Sequence, residues 1–167
     1  MFAVSEPPRF LVDQNVGKLA VYLRMLGFDA RRFGNGSDRQ LLSEALAEGR
    51  VILTRDHLLR ERRLVKKGNL KVMLFETEVA EDQLRQLLSD MVLHSFILPF
   101  SRCIECNYPL YPVMKETLSE KVPPYVYQNQ TEFKECHHCG RVFWKGSHWQ
   151  AMQEVLNRLG VDNNPSC

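Results

Sequence analysis

Two Cys-x-x-Cys pairs, Cys103-Ile104-Glu105-Cys106 and Cys136-His137-His138-Cys139, lie 29 residues apart in this chain. Each pair can fold its two intervening residues under a metal and offer two thiolates, so the four cysteines together make a closed tetrahedral set for one zinc ion. The residue after each pair agrees: Asn107 and Gly140 are the types that adopt positive φ most readily. Buried free thiols are the alternative, and His137, His138 and His148 are rival ligands, the first two placed inside a knuckle where they favour pointing outward. With four protein ligands the ion keeps no open position, so its expected role is to stabilise the fold.

Three aspartates suggest a different chemistry. Asp13 falls at the carboxyl end of the first expected strand, Asp38 in the first turn of the helix after the second strand, and Asp56 just beyond the third. In a parallel sheet these positions share the edge where open α/β folds bind ligands. Neighbouring carboxylates repel unless a cation offsets them, and hard oxygen ligands suit Mg²⁺ or Mn²⁺. Such an ion lowers the pKa of a bound water and neutralises charge developing on a phosphate, so the expected reaction is phosphodiester hydrolysis. Each acid also has a structural alternative: Asp13 and Asp56 can cap helices, and Asp38 can complement a helix dipole. Asp29 and Glu76 read as surface acids, Glu76 with a weaker claim to a place near the sheet edge.

The elements that must position these groups follow from apolar periodicity. Residues 9–12 form a short apolar run, and Val16, Leu19, Ala20, Leu23 and Leu26 mark one helix face, stopped by Gly27. A strand over 28–33 and the turn Gly34-Asn35-Gly36 precede Ser37 and Gln40, a capping box opening a helix whose buried face is Leu41, Leu42, Ala45 and Leu46. After Gly49 come the buried strand 51–53, a third helix through Leu58, Leu59, Arg62 and Val65 to Gly68, a strand over 70–75 and a helix over 80–93. This alternation predicts an α/β fold with a parallel sheet flanked by helices.

From Pro99 the character changes, with prolines at 99, 109, 112, 123 and 124 and all four paired cysteines. The expected organisation is an α/β domain over 1–98, a zinc ribbon with a C-terminal helix (Trp149, Met152, Val155, Leu156, Leu159) over 99–160, and a disordered tail over 161–167. No apolar run is long enough to span a bilayer and the first residues lack a secretory pattern, which points to a cytoplasmic protein without membrane contact. A reducing compartment also suits paired cysteines as metal ligands rather than disulfides. The net charge of +2 excludes little, but residues 55–71 hold seven basic side chains against two acidic ones. That stretch can lie along a polyanion.

Taken in order, Phe10-Leu-Val-Asp13, Gly17-Lys-Leu-Ala20, Leu23-Arg24-x-Leu-Gly27-Phe-Asp29, Ser37-Asp38-x-x-Leu-Leu, Leu53-Thr-Arg-Asp56, Phe133 through Cys136, Cys139-Gly140-Arg-Val-Phe-Trp144 and Gly146-Ser-His-Trp149 resemble the Mut-seven C-terminal RNase domain. The likeness covers residues 9–158. It implies a PIN-like fold followed by a zinc ribbon, and a metal-dependent ribonuclease whose acids are Asp13, Asp38 and Asp56. Arg24 and Arg55 also match family positions and are candidate substrate contacts; Arg55 would contact phosphate or brace Asp56, a plain surface charge being the alternative. Many PIN nucleases carry a fourth acid after the third aspartate. Here His57, Leu58 and Leu59 stand there, so a site of three acids leaves both one and two catalytic metals open.

For RNA, Arg60, Arg62, Arg63, Lys66 and Lys67 form the expected phosphate-contacting surface, a solvated helix face being the alternative. Tyr125, Tyr127, Phe143, Trp144 and Trp149 could stack on bases, or form the ribbon's small core. A non-catalytic RNA- or ribosome-binding module using the same surface is the rival reading. A phosphoacceptor domain is disfavoured, because it needs paired acids after the first strand where Gln14 and Asn15 stand.

Overall fold

The computed structural model describes residues 6–160. The expected tail over 161–167, Cys167 and the side chain of His148 lie outside the described residues. Four short strands, β1 (Phe10–Val12), β2 (Ala30–Arg32), β3 (Val51–Thr54) and β4 (Val72–Leu74), pair in parallel in the order β2-β1-β3-β4. The chain leaves β1 toward β2 and then crosses back to β3, so the crossover direction reverses between β1 and β3. Open α/β sheets bind ligands at such a switch point, beyond the carboxyl ends of the strands.

Strand alternation divides the interior into two layers. Phe10, Val12, Val51 and Leu53 face one side with α1 (Gly17–Met25) and α4 (Ala80–Met91), where Leu19, Leu23, Leu84 and Leu87 are fully buried. Leu11 and Ile52 face the other with α2 (Asp38–Glu48), meeting Leu41, Leu42 and Ala45. Helices on both faces let the oppositely directed connections each remain right-handed. The capping box is present: Gln40 N–H donates to Ser37 Oγ, and the Gln40 side chain accepts from Ser37 N–H. Leu46 departs from expectation at 46% exposed, because it lies past the edge of the face that Leu41, Leu42 and Ala45 cover.

The expected third helix is broken. A 3-10 turn over His57–Glu61 ends at Arg62, whose backbone is extended (φ −66°, ψ 138°), and only the single turn α3 (Arg63–Lys66) follows. The kink lets both Leu59 and the pair Leu64 and Val65 reach the same core, which a straight helix with so few apolar residues would not. It also splits the basic residues between two segments, so they do not form one continuous stripe.

Beyond residue 100, strands β5 (Tyr111–Val113), β6 (Phe133–Glu135) and β7 (Val142–Trp144) form an antiparallel sheet, with the short helix α5 (Pro124–Asn129) between the first two. Phe143 packs on the cysteines, while Tyr127 and Trp144 pack against Leu118, Val122 and Phe133. These aromatics serve as core, and Tyr125 stands 76% exposed. The last helix, α6 (Ser147–Arg158), returns to the first layer: Leu156 is buried there, and Arg158 pairs with Glu81 at 2.8 Å. Among the described residues no helix is long and apolar enough to cross a membrane.

Candidate active site and metal centre

The two cysteine knuckles are built alike. Asn107 N–H donates to the Cys103 carbonyl at 2.9 Å and Gly140 N–H to the Cys136 carbonyl at 2.7 Å, and both residues adopt φ of 70°. The sulfurs of Cys103 and Cys139 are 3.8 Å apart, those of Cys106 and Cys136 3.3 Å, and all four lie within 4.8 Å of one another. Zinc at about 2.3 Å from each sulfur needs tetrahedral edges of roughly 3.8 Å, so the donor set fits. Burial pushes the Cys103 thiol up and the Cys106 thiol up to about 12. At Cys136 burial is outweighed by the N–H groups of Cys139 and His138 and by the Cys106 thiol, which bring it down to about 7. His137 and His138 are not ligands: they stack on Tyr111 and Tyr108, with ring centroids 4.7 and 3.9 Å apart.

The first knuckle is docked on the amino edge of the parallel sheet. Arg24, which family resemblance puts at the substrate, is 5% exposed and committed elsewhere. Its Nε donates to the Ala30 carbonyl at 2.8 Å, and its Nη1 to the carbonyls of Ile104 and Glu105 at 2.9 and 2.8 Å. Burial, with Arg32 nearby, lowers its pKa, while the thiols of Cys103 and Cys106 favour the cation. A zinc ion with four thiolates carries net negative charge, which a buried guanidinium beside the knuckle offsets. Arg24 therefore has a structural task, and its expected role in substrate binding is corrected.

Asp29 is corrected likewise from a surface acid. Its side chain is 23% exposed, held by Arg50 at 2.6 Å and by Asn107 Nδ2 at 2.7 Å, while Asn107 Oδ1 accepts from Ala30 N–H at 2.9 Å. Burial alone would raise the Asp29 pKa, but these hydrogen bonds and the Arg50 charge hold it below the ordinary value. A carboxyl depressed in the folded state stabilises above its unfolded pKa of about 3.9 and loses that contribution as pH falls through the folded value. Urea unfolding followed from pH 7 to pH 3 is expected to show a decline below about pH 4 that is shallower in Asp29→Asn. Equal slopes would contradict the pairing.

At the opposite, carboxyl edge stand the candidate acids. Asp13 follows β1 and Asp56 follows β3, and the buried Thr54 links them. Its Oγ1 donates to Asp13 Oδ2 at 2.6 Å and accepts from Asp56 N–H at 3.0 Å. Asn15 adds a second bridge, with Nδ2 donating to Asp13 Oδ2 at 2.9 Å and Oδ1 accepting from Arg55 N–H at 3.0 Å. Both acids also cap 3-10 turns, Asp13 through Gln14 N–H and Asp56 through Leu58 N–H. Asp38 lies in the first turn of α2 and accepts from Arg62 at 2.6 Å.

Asp13, Asp38 and Asp56 thus share one edge but do not close into a ready cluster. Among the described residues only the cysteines bring three or more ligand atoms within 4.8 Å. Carboxylates have unused lone pairs beyond each cap, and hard-cation sites retain waters that span the remaining distance.

Of the expected RNA-contacting cations, Arg62 is engaged by Asp38, Lys66 by Glu61 at 2.5 Å, and Arg55 by Glu78 at 2.7 Å. Arg60, Arg63 and Lys67 are exposed. Thr54 and Asn15 escaped the sequence reading. The one available signal was a hydroxyl at the end of an otherwise apolar buried strand, two residues before an aspartate.

Comparison with known proteins agrees with this architecture. A family described as the Mut7-C RNAse domain matches residues 8–156. A human protein named Exonuclease mut-7 homolog is 35% identical over 107 residues, which is 62% of this chain. The chain spans only 12% of that protein's length. No solved structure matches. With a matched segment that begins before β1 and ends within α6, taking in both the acidic edge and the cysteine knuckles, this chain belongs to the Mut7-C RNAse domain family.

Proposed function

We propose that the protein is a metal-dependent ribonuclease, with Asp13, Asp38 and Asp56 holding one Mg²⁺ or Mn²⁺ at the carboxyl edge. The observation that carries this reading is the Asp13–Thr54–Asp56 linkage at the β1/β3 switch point. A hydroxyl that donates to one acid and accepts from the backbone of the other fixes both strand ends, and the orientation of the Asp13 carboxylate with them. The ion would supply a deprotonated water and charge stabilisation on the phosphate. The residues themselves orient: Asn15 and Thr54 hold the Asp13 oxygen, and Arg62 positions Asp38. Arg60, Arg63 and Lys67 are proposed to meet backbone phosphates flanking the site. Residues 1–98 would form the nuclease domain and 99–160 the ribbon, in a cytoplasmic protein whose reduced thiols load zinc.

The testing experiment is titration of Mn²⁺ into the zinc-loaded chain with a pool of single-stranded RNA. Products that appear only with added Mn²⁺ or Mg²⁺ are expected. RNA retention in a gel shift with no products at any metal concentration would instead favour a non-catalytic RNA-binding module.

A further inference from the structure

A cleft of about 570 Å³ opens beside the candidate acids, with Asn15, Lys18, Arg32, Arg55 and Glu78 among its lining. Three of those five are cations. Lys18 stands in the first turn of α1 and Arg32 closes β2. Arg32 Nε donates to the Gly17 carbonyl at 3.0 Å, which anchors the side chain and leaves its two terminal nitrogens for an occupant. Neither Lys18 nor Arg32 forms an ion pair among the described residues. Among the described residues the Arg55 side chain is held by Glu78 alone, itself 78% exposed, and its Nε is buried with no hydrogen-bond partner. With its acid on the solvent side such a pair is weak, so an incoming anion can take the guanidinium over.

The start of α1 borders the same cleft, through Val16, Gly17 and Lys18, with no side chain capping it. The N–H groups of Val16 and Gly17 are already taken, donating to the carbonyls of Asp13 and Gln14, so any anion there is held by side chains. The volume lies within the roughly 300–1,000 Å³ usual for small-molecule sites.

We propose that this cleft is a subsite for the phosphate monoester of a nucleotide, bound by Lys18 and Arg32 beside the Asp13 centre. The charge decides for a monoester over an internal phosphodiester. Two unpaired cations match the charge of about −1.5 to −2 that a monoester carries near pH 7, whereas a diester carries a single negative charge. A monoester also needs those cations to approach Asp13 at all. The role in cleavage rests on the nuclease reading above; the binding itself does not.

The test uses the zinc-loaded chain without Mg²⁺ or Mn²⁺. Four probes are titrated by calorimetry: AMP, and one trinucleotide with a 5′-phosphate, with a 3′-phosphate, or with hydroxyl ends. At least one phosphorylated trinucleotide is expected to bind about tenfold tighter than the hydroxyl form. That advantage should vanish in Lys18→Ala, whose side chain gives up no ion pair, and in Arg32→Ala, with circular dichroism unchanged. AMP binding as tightly as the phosphorylated strand supports the same subsite with a free nucleotide as its source. Equal binding of all trinucleotides, or an advantage that survives both substitutions, overturns the proposal. Retained phosphate preference in a chain that never cleaves RNA removes the nuclease reading alone, while cleavage without phosphate preference removes the subsite alone.

Discussion

Asp13→Asn is expected to lower cleavage of single-stranded RNA by at least about a thousandfold while leaving the fold intact. The substitution separates two roles that alanine would confound. Asn caps a helix start about as well as Asp, so the bond from Gln14 N–H survives through the amide oxygen. What changes is the other oxygen, which accepts from Thr54 Oγ1 and Asn15 Nδ2. An amide there is uncharged and presents a donor toward Thr54 and Asn15. The hydroxyl can rotate to accept, but a divalent cation cannot exchange a charged ligand for a neutral one at equal affinity. Loss of a preorganised charge at a reacting centre costs about 10²–10³ in rate, and loss of the metal costs more. Melting temperature and single-turnover cleavage in Mn²⁺ should be read together. Wild-type cleavage by a folded Asp13→Asn chain would leave Asp13 as a cap and nothing else.

The second large effect concerns zinc. Stripping the ion with a chelator, or replacing Cys136 by Ser, is expected to unfold the ribbon, because structural zinc contributes on the order of 10 kcal/mol in small domains. The less obvious expectation is that the parallel sheet loosens as well. The knuckle offers the Ile104 and Glu105 carbonyls to Arg24, and Asn107 to Asp29 and the start of β2. With the knuckle gone Arg24 keeps one acceptor, and an underpaired buried charge costs roughly 3–5 kcal/mol. At a few degrees per kcal/mol, melting of the first lobe should fall by about 10 °C or more. Scanning calorimetry of the zinc-loaded and stripped chain, with metal content measured on the same samples, decides it. An unshifted transition for the α/β layers would mean that the two parts are stable independently.

Local features of this fold were legible because their causes are local. The cysteine spacing, the positive φ after each knuckle, the Ser37–Gln40 box and the strand–helix alternation each involve residues a few positions apart, and each is present. What escaped depends on partners remote in the chain. Family position put Arg24 at the substrate, but two of its three acceptors are main-chain carbonyls 80 and 81 residues on, which any residue can supply and no pattern announces. Asp29 and Asn107 are 78 positions apart, and Asp38 meets Arg62 across 24. The break at Arg62 escaped for a related reason: helical spacing of Leu58, Leu59 and Val65 was readable, but the competing demand of a shared core was not. The three acids were legible as edge residues, since strand ends can be read from sequence, while their hydroxyl and amide bridges could not be.

The joint between knuckle and sheet has a consequence for how such chains can diverge. Arg24 and Arg102 address backbone oxygens, Ala30, Ile104 and Glu105 for one, Gly27 and Asn107 for the other. The side chain at 104 is therefore invisible to the coupling, whereas Ala30 is held by its burial in the core and the Glu105 carboxylate favours the Arg24 cation. The polar joint at this knuckle is written in a handful of letters, Arg24, Asp29, Arg102 and Asn107, and it works beside the apolar docking of α6 through Leu156.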